Sequence, residues 1–513
     1  MRHPCAVPRS EPEGTRQIHR QLYKHQSRSL PGTTEQGEHM THERTASNQA
    51  ALGASLQDLL APTLELATWF LSREDELPEP ELREPQAMRA RLDAGLGDSG
   101  HEAAEAMEKM RAILGQTPSS SSWRFLNQLF GGRVGMASAA EMLAVLPNSS
   151  MYTLKAAGAQ VLVENEVLGR MCSKVGFGSG EGSFVPGGSS ANLVALLMAR
   201  DRAAPGIRDS GSAGSTLIAY TSVEAHYSIP KNAGIIGLGR KNVRLVEADT
   251  EGCMIPAALE AAIEADLAAG NKPFFVNATA GTTVRGAFDP IRAIAGVAGK
   301  HGLWLHVDGA LGGSMALSAE HRHLVDGSEL ADSFAWNPHK MMGIPLQASV
   351  ILVARRGSLS ASLDETADYL FQADVDEWNP GHRSVQCGRR NDAFKLWAAW
   401  YHLGDSGWDA RIGRQMALAR TAAAMIAVDP ELELLEQPQS INVCFVVRGR
   451  SSEDVCDLLD HDGIIKIGHG QVRGRRGIRL VCVNPDLDKT TLKKILDEIK
   501  LAGRSLAVEG KKP

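Results

Sequence analysis

Lys340 lies in the stretch FAWNPHKMMG, directly after Asn337, Pro338 and His339. A solvated surface lysine needs no stiff neighbour, and an apolar segment has no use for an unpaired charge. Pro338 biases Asn337 away from the helical region and so fixes how the chain delivers Lys340. A lysine at the end of a buried run is desolvated, which lowers its pKa and leaves a neutral amine. Such an amine condenses with an aldehyde to a Schiff base. Pyridoxal 5'-phosphate is the common aldehyde cofactor. Besides the lysine it needs an acidic partner for its ring nitrogen and a cradle for its phosphate. Asp308 follows the apolar run LWLHV. A carboxylate there either pairs with a cation such as a protonated ring nitrogen or caps the next turn. Gly188 and Ser189 open the apolar helix pattern of FVPGGSSANLVALLMAR. Amides at a helix start bind phosphate, although GGSS is also an ordinary helix start. His226, in SVEAHYSIPKNAG, either lies flat on a cofactor ring or is structural.

These residues need elements to hold them. Apolar runs at 215–222, 243–248, 273–281, 303–310, 332–340 and 348–354 read as buried strands. AALEAAIEADLAAG and IRAIAGVAGKHG between them read as helices, the second closed by a glycine. Alternation of this kind predicts an α/β fold with a large, mostly parallel sheet covered by helices on both faces. Ligands of such sheets sit beyond the carboxyl ends of the strands. His226, Thr279 to Thr283, Asp308 and Lys340 all fall at such ends. Before this region, helical spacing marks Ser55–Ser72 and Ala103–Leu114, joined by the Pro-rich, charged REDELPEPELREP. After it come INVCFVVRG, SEDVCDLLDHDG, GIRLVCVN and TTLKKILDEIKLAG, a β-α-β-α order that predicts a small C-terminal α/β domain. The expected divisions are an unstructured arm over 1–50, a helical segment over 51–122, a large domain over 123–400 and a small domain over 401–513.

The bulk properties narrow the class. The 513 residues exceed one ordinary core. The net charge of -6 gives no cue for nucleic acid, and no apolar run reaches the length needed to span a bilayer. Seven scattered cysteines without a CxxC pair argue for a reduced cytoplasmic protein and against a zinc site; no metal is expected. The polar stretch RQIHRQLYKHQSRSLPGTTEQGEHM has no secretory h-region, and Met40 is an alternative start.

The motifs NPHKMMG, HVDGA, EAHYSI, NATAGTTVRGAFDPI, FVPGGSSANL, YLFQ and QCGRRNDAFKLW, in this arrangement, resemble the group II pyridoxal-phosphate amino-acid decarboxylases. The pattern is most similar to the glutamate and cysteine sulfinate decarboxylases and covers about Trp123 to Gly503. The resemblance implies the type I pyridoxal-phosphate transferase fold and a homodimer with its active site at the interface. It also implies a small-molecule amino-acid substrate, released as amine and CO2. It gives Lys340 the Schiff base, Asp308 the ring nitrogen, His226 the ring face, and Gly188 and Ser189 the phosphate. Thr283, Ala310, Asn337 and His339 sit near the cofactor. Arg479, which the residue pattern alone leaves as a surface strand residue, is implied to bind the substrate α-carboxylate.

For the substrate, FLNQLF resembles the family's FFNQL, which puts Gln128 on a substrate carboxylate. In PNSSMYT, Ser150 and Tyr152 stand where glutamate decarboxylases carry Asn and Phe. This favours a small acidic substrate: cysteine sulfinate, aspartate or glutamate. One departure stands out. The loop ADVDEWNPGHRSV (373–385) is shorter than the family's and lacks its proton-donating tyrosine; Trp378 and His382 are its notable side chains. Either water or a histidine, His382 or His339, supplies the proton, or the outcome shifts to transamination or an aldehyde. A third possibility, an inactive scaffold, is disfavoured because Lys340 and Asp308 are both present.

Overall fold

The computed structural model describes residues 54–78, 84–211, 216–365 and 378–506. The arm over 1–50, YLFQ and the first part of the loop, 373–377, lie outside the described residues.

The sheet that carries the site has seven strands: β1 (Glu181–Phe184), β2 (Leu217–Ser222), β3 (Val243–Val246), β4 (Lys272–Thr279), β5 (Trp304–Gly309), β6 (Ser333–Trp336) and β7 (Val350–Val353). Their order is β1-β7-β6-β5-β4-β2-β3. Strands β3, β2, β4, β5 and β6 pair in parallel, while β7 runs back against both β6 and β1. All residues of β2, β5, β6 and β7 are buried. Such burial is what strands covered on both faces require, and it explains their near-continuous apolar runs. The six strands read from the sequence all form. β1 was not legible, because EGSF is short and carries one large apolar side chain.

The covering helices include Gly188–Ala203, Pro256–Ala268 and Ile291–Lys300. The last buries Ile291, Ile294 and Ala298 on one face. Beyond it Gly302 takes φ +66 and Leu303 donates back to the Ala298 carbonyl, the closure expected from the sequence. Near the N-terminus the helices are Leu56–Ser72, Pro85–Leu92 and Ala103–Gly115. Leu64, Leu71, Met110 and Ile113 on them remain exposed.

The C-terminal sheet is antiparallel: β8 (Leu432–Leu434), β9 (Asn442–Val447), β10 (Gly468–Val472) and β11 (Arg475–Val481), in the order β10-β11-β9-β8. Helices Ser452–His461 and Lys489–Ser505 accompany it, each with a side-chain cap, from Ser451 and Asp488. β9, β11 and both helices match the expected β-α-β-α order. β8 and β10 do not announce themselves, one being three residues long and the other, GHGQV, lacking an apolar run. A long helix, Ala393–Val428, leads into this region and breaks at Gly404 (φ 62, ψ -177).

Candidate active site

Register brings the chemistry together. Thr279 at the end of β4 pairs with Asp308 on β5, and β6 runs beside β5 toward Asn337 and Lys340. A cavity of about 190 Å³ opens at these ends. Gly188, Ser189, His226, Thr283, Asp308, Ala310, Asn337 and Lys340 all line it, together with Asn192, Tyr227, Thr279, Gly281 and Leu311. Ten of these thirteen residues, Thr279 and Gly281 included, were singled out from the sequence and share one pocket.

Burial pushes the Lys340 amine below its ordinary value; Asp308 opposes that shift and Arg479 adds to it. Its Nζ makes no hydrogen bond among the described residues, and Lys340 lines the cavity. Asp308 caps the next turn, one of the two roles the sequence left open, and is held by a neighbouring amide. Its Oδ1 accepts from the Ala310 amide (3.1 Å), a turn cap, and its Oδ2 accepts from Asn192 Nδ2 (2.8 Å). The His226 ring lies 4.2 Å from the Tyr227 ring, centroid to centroid, and its Nδ1 accepts from the Ser228 amide (3.3 Å). Burial lowers the His226 pKa, which favours a neutral, flat aromatic face.

Gly188 is required by space. A Cβ there would sit 2.8 Å from Asn337 Nδ2 and 3.3 Å from Ala310 Cβ. Asn337 Oδ1 is buried with no hydrogen-bond partner among the described residues, a polar atom still open to a ligand. The His339 ring is pinned instead: Nδ1 lies 2.7 Å from the Ala348 carbonyl. Burial drives its pKa down to about 4, and it does not line the cavity.

Arg479 is not a surface strand residue. It is half-buried, with Nη1 donating to the Thr283 carbonyl (2.9 Å) and Nη2 to the Asn127 carbonyl. Its Nε is buried and lacks a partner among the described residues. Gln128 is exposed and lines no part of the Lys340 cavity. Ser150 and Tyr152 also lie outside that cavity. Their segment is held by Arg389, whose carbonyl accepts from the Met151 amide (2.9 Å), and by Gly381, whose amide donates to the Tyr152 carbonyl (2.8 Å). A Cβ on Gly381 would lie 2.8 Å from the Tyr152 ring. His382 pairs through Nδ1 with Asp364 (2.7 Å), and Trp378 packs beside Met151 and Val161. The visible part of the tyrosine-free loop thus packs with the Ser150–Tyr152 segment of its own chain.

Asn192, Tyr227 and Leu311 were missed. Asn192 left a signal: it is a polar residue one helical turn beyond Gly188, on the side where the helix meets the cavity.

The donor set fits pyridoxal 5'-phosphate. The first turn of the Gly188 helix would hold a phosphate, Asp308 a ring nitrogen, His226 a ring face and Lys340 an aldehyde carbon.

Comparisons with known proteins agree. Residues 85–448 match the family model described as the pyridoxal-dependent decarboxylase conserved domain. Cysteine sulfinic acid decarboxylase of Mus musculus is 40% identical over 450 residues, 83% of this chain and 91% of that protein. An acidic amino acid decarboxylase of Mus musculus is 37% identical, over 83% of this chain and 82% of its own. The crystal structure of mouse CSAD superposes with a TM-score of 0.84 at 36% identity, covering 88% of this chain and 99% of that one.

Proposed function

Since this chain belongs to the pyridoxal-dependent decarboxylase family, we propose that it removes CO2 from a small acidic L-amino acid and releases the amine. The observation that carries this is the single cavity shared by the desolvated Lys340, the carboxylate of Asp308 and the first turn of the Gly188 helix. The cofactor, when bound, supplies an electron sink for the pair left at Cα as CO2 departs. The protein supplies the rest. Gly188 and Ser189 anchor the phosphate, Asp308 orients the ring, and Thr283, Ala310 and Asn337 close the cavity wall. Lys340, its amine desolvated, would hold the aldehyde carbon of the cofactor, and the proton that replaces CO2 goes to the substrate Cα. The orphan Nε of Arg479 suits a substrate carboxylate held near Lys340. An acidic substrate is supported by the relatives, which are named for cysteine sulfinic acid and acidic amino acids.

Gln128, Ser150 and Tyr152 read as substrate contacts that a second copy of the chain brings to the cavity. A homodimer with a shared active site would account for their absence from the lining of the Lys340 cavity of the same chain. Exposed Leu64, Leu71, Met110 and Ile113 suit burial against that copy. The large domain, 123–400, then carries the cofactor and 401–513 contributes Arg479. A reducing, cytoplasmic setting fits the free cysteines among the described residues. No described helix is long and apolar enough to cross a membrane.

The test is product analysis. Cofactor-loaded protein is given cysteine sulfinate, aspartate and glutamate, and CO2, amine, aldehyde and oxygen uptake are followed together. Equal CO2 and amine are expected. Aldehyde with oxygen consumption would favour the second reading, an altered outcome motivated by the tyrosine-free loop. No turnover of any of the three would remove the acidic-substrate claim.

A further inference from the structure

Behind Asp308 a chain of buried polar groups runs away from the cavity. Asn192 Nδ2 donates to Asp308 Oδ2 (2.8 Å) and to Ser228 Oγ (2.9 Å). Asn192 Oδ1 lies 2.9 Å from His306 Nε2, and His306 Nδ1 lies 2.9 Å from Ser333 Oγ. Ser333 Oγ also accepts from Trp304 Nε1 (2.8 Å). His306 and Ser333 are neighbours in register on β5 and β6, and both are fully buried.

The polarity of this chain is determined. Asp308 can only accept from an amide beside it, so Asn192 must turn its NH2 that way and its carbonyl toward His306. The carbonyl needs a donor, so His306 carries its proton on Nε2. Its Nδ1 then accepts from the Ser333 hydroxyl, whose oxygen in turn accepts from Trp304. Burial holds the His306 pKa down at about 4, so the ring has one proton to place and not two. Reversing the Asn192 amide would set its oxygen against Asp308 and its NH2 against the Nε2 proton.

We propose that His306 is a positioning residue for the ring end of the cofactor. Fixed as the Nε2–H tautomer by Ser333, it locks the Asn192 amide, and Asn192 holds the Asp308 carboxylate in the rotation that faces the cavity. Because Asn192 stands on the helix whose first turn holds Gly188 and Ser189, the same side chain couples the ring anchor to the phosphate cradle. The inference rests on the cofactor reading above.

The experiment is equilibrium binding of pyridoxal 5'-phosphate to the full-length apoprotein, read by quenching of protein fluorescence. Four proteins are compared: wild type, His306→Leu, Asn192→Leu and the double variant. Each single variant is expected to bind at least about tenfold more weakly, and the double variant no more weakly than the worse single, since both break one chain. His306→Gln, which restores an amide N–H near the Nε2 position, is expected to stay within about threefold of wild type. A general packing defect would not be rescued by this smaller amide. If His306→Leu does not fold, Ser333→Ala serves, with an expected loss of about threefold from the freed tautomer. Affinity unchanged in His306→Leu, or in Ser333→Ala, overturns the relay while leaving the cofactor reading intact. Additive losses in the double variant overturn it as well. Wild-type apoprotein that binds no pyridoxal 5'-phosphate overturns the cofactor reading itself.

Discussion

Arg389 and Glu164 meet through two parallel hydrogen bonds, Nη1 to Oε2 and Nη2 to Oε1, each 2.7 Å, with both side chains 2% exposed. The same Arg389 Nη2 reaches the Met151 carbonyl (3.2 Å), and the Arg389 carbonyl takes the Met151 amide. A structural ion pair thus holds the segment that carries Ser150 and Tyr152. Arg389→Met leaves Glu164 buried and unpaired, so unfolding free energy should fall by about 3–5 kcal/mol in a denaturant melt. Arg389→Met with Glu164→Leu should recover much of that loss. If the double variant is no better than the single, the pair is not what stabilises this segment.

Lys340→Ala removes the one lysine among the described residues that line the cavity. The imine absorbance of its cofactor should vanish and turnover should fall at least about a thousandfold, with the thermal melt of the apoprotein little changed. Turnover near the wild-type rate would refute the assignment of Lys340.

Gly188→Ala tests the cradle. The added Cβ would press on Asn337 Nδ2 at 2.8 Å. Cofactor affinity should drop about tenfold, since either the helix start or Asn337 must move. Gly135→Ala is the control: it also begins a helix, but a Cβ there meets nothing within 4 Å. Equal effects from the two would show that the loss at Gly188 is not steric.

The cavity was the most legible part of the chain, and for a reason. Strand ends in a parallel sheet collect their ligands at one edge, so His226, Asp308 and Lys340 could be grouped from apolar runs alone. Arg479 could not. Its strand begins RRGIRL, which reads as an exposed edge, and only the fold shows that loops bearing Asn127 and Thr283 cover it. Asn192 and His306 were hidden differently. His306 sits in an apolar run where a lone polar residue looks incidental, Asn192 follows two serines that read as an ordinary helix start, and their partners come from elements distant in sequence.

Arg479→Gln removes the orphan Nε–H. We expect kcat/KM to fall about a hundredfold while the cofactor spectrum is retained. Arg479→Lys should not rescue, because an ammonium cannot serve two carbonyls and a carboxylate from one plane. A spectrum lost together with activity would move Arg479 from substrate to cofactor binding.

Stability should depend on pH with a definite sign. His306 and His339 have an ordinary value of 6.5 and sit at about 4 in the fold because burial disfavours the charged ring. Between those values the unfolded chain binds protons that the native state refuses. Their contribution is complete above about pH 6.5 and drains as pH falls toward 4, by up to about 1.4 kcal/mol per pH unit each. Asp289 opposes them. Burial raises it to about 6, so its contribution is present below 3.8 and is lost as pH rises through 6. Burial also lowers His226 and His321 and raises Asp332 and Asp392, but the histidines are the more numerous, so the melting temperature should fall between pH 7 and pH 5. His306→Gln should flatten that slope and Asp289→Asn should steepen it. A flat profile in the wild type would contradict the buried, neutral histidines.

The strand order also governs when the cavity can exist. Its walls come from β2, β4, β5 and β6, which are adjacent in space, and from a helix that begins at Gly188, far upstream of Lys340. No local piece of chain holds more than part of it. Parallel pairing requires long crossovers to close first, which makes assembly slow and late. A chain in which these strands have not yet paired lacks the complete cavity, so cofactor loading is expected to follow formation of the sheet. Vitamin supply would then act on the finished protein, by mass action on the native state, and would leave the rate of its folding untouched.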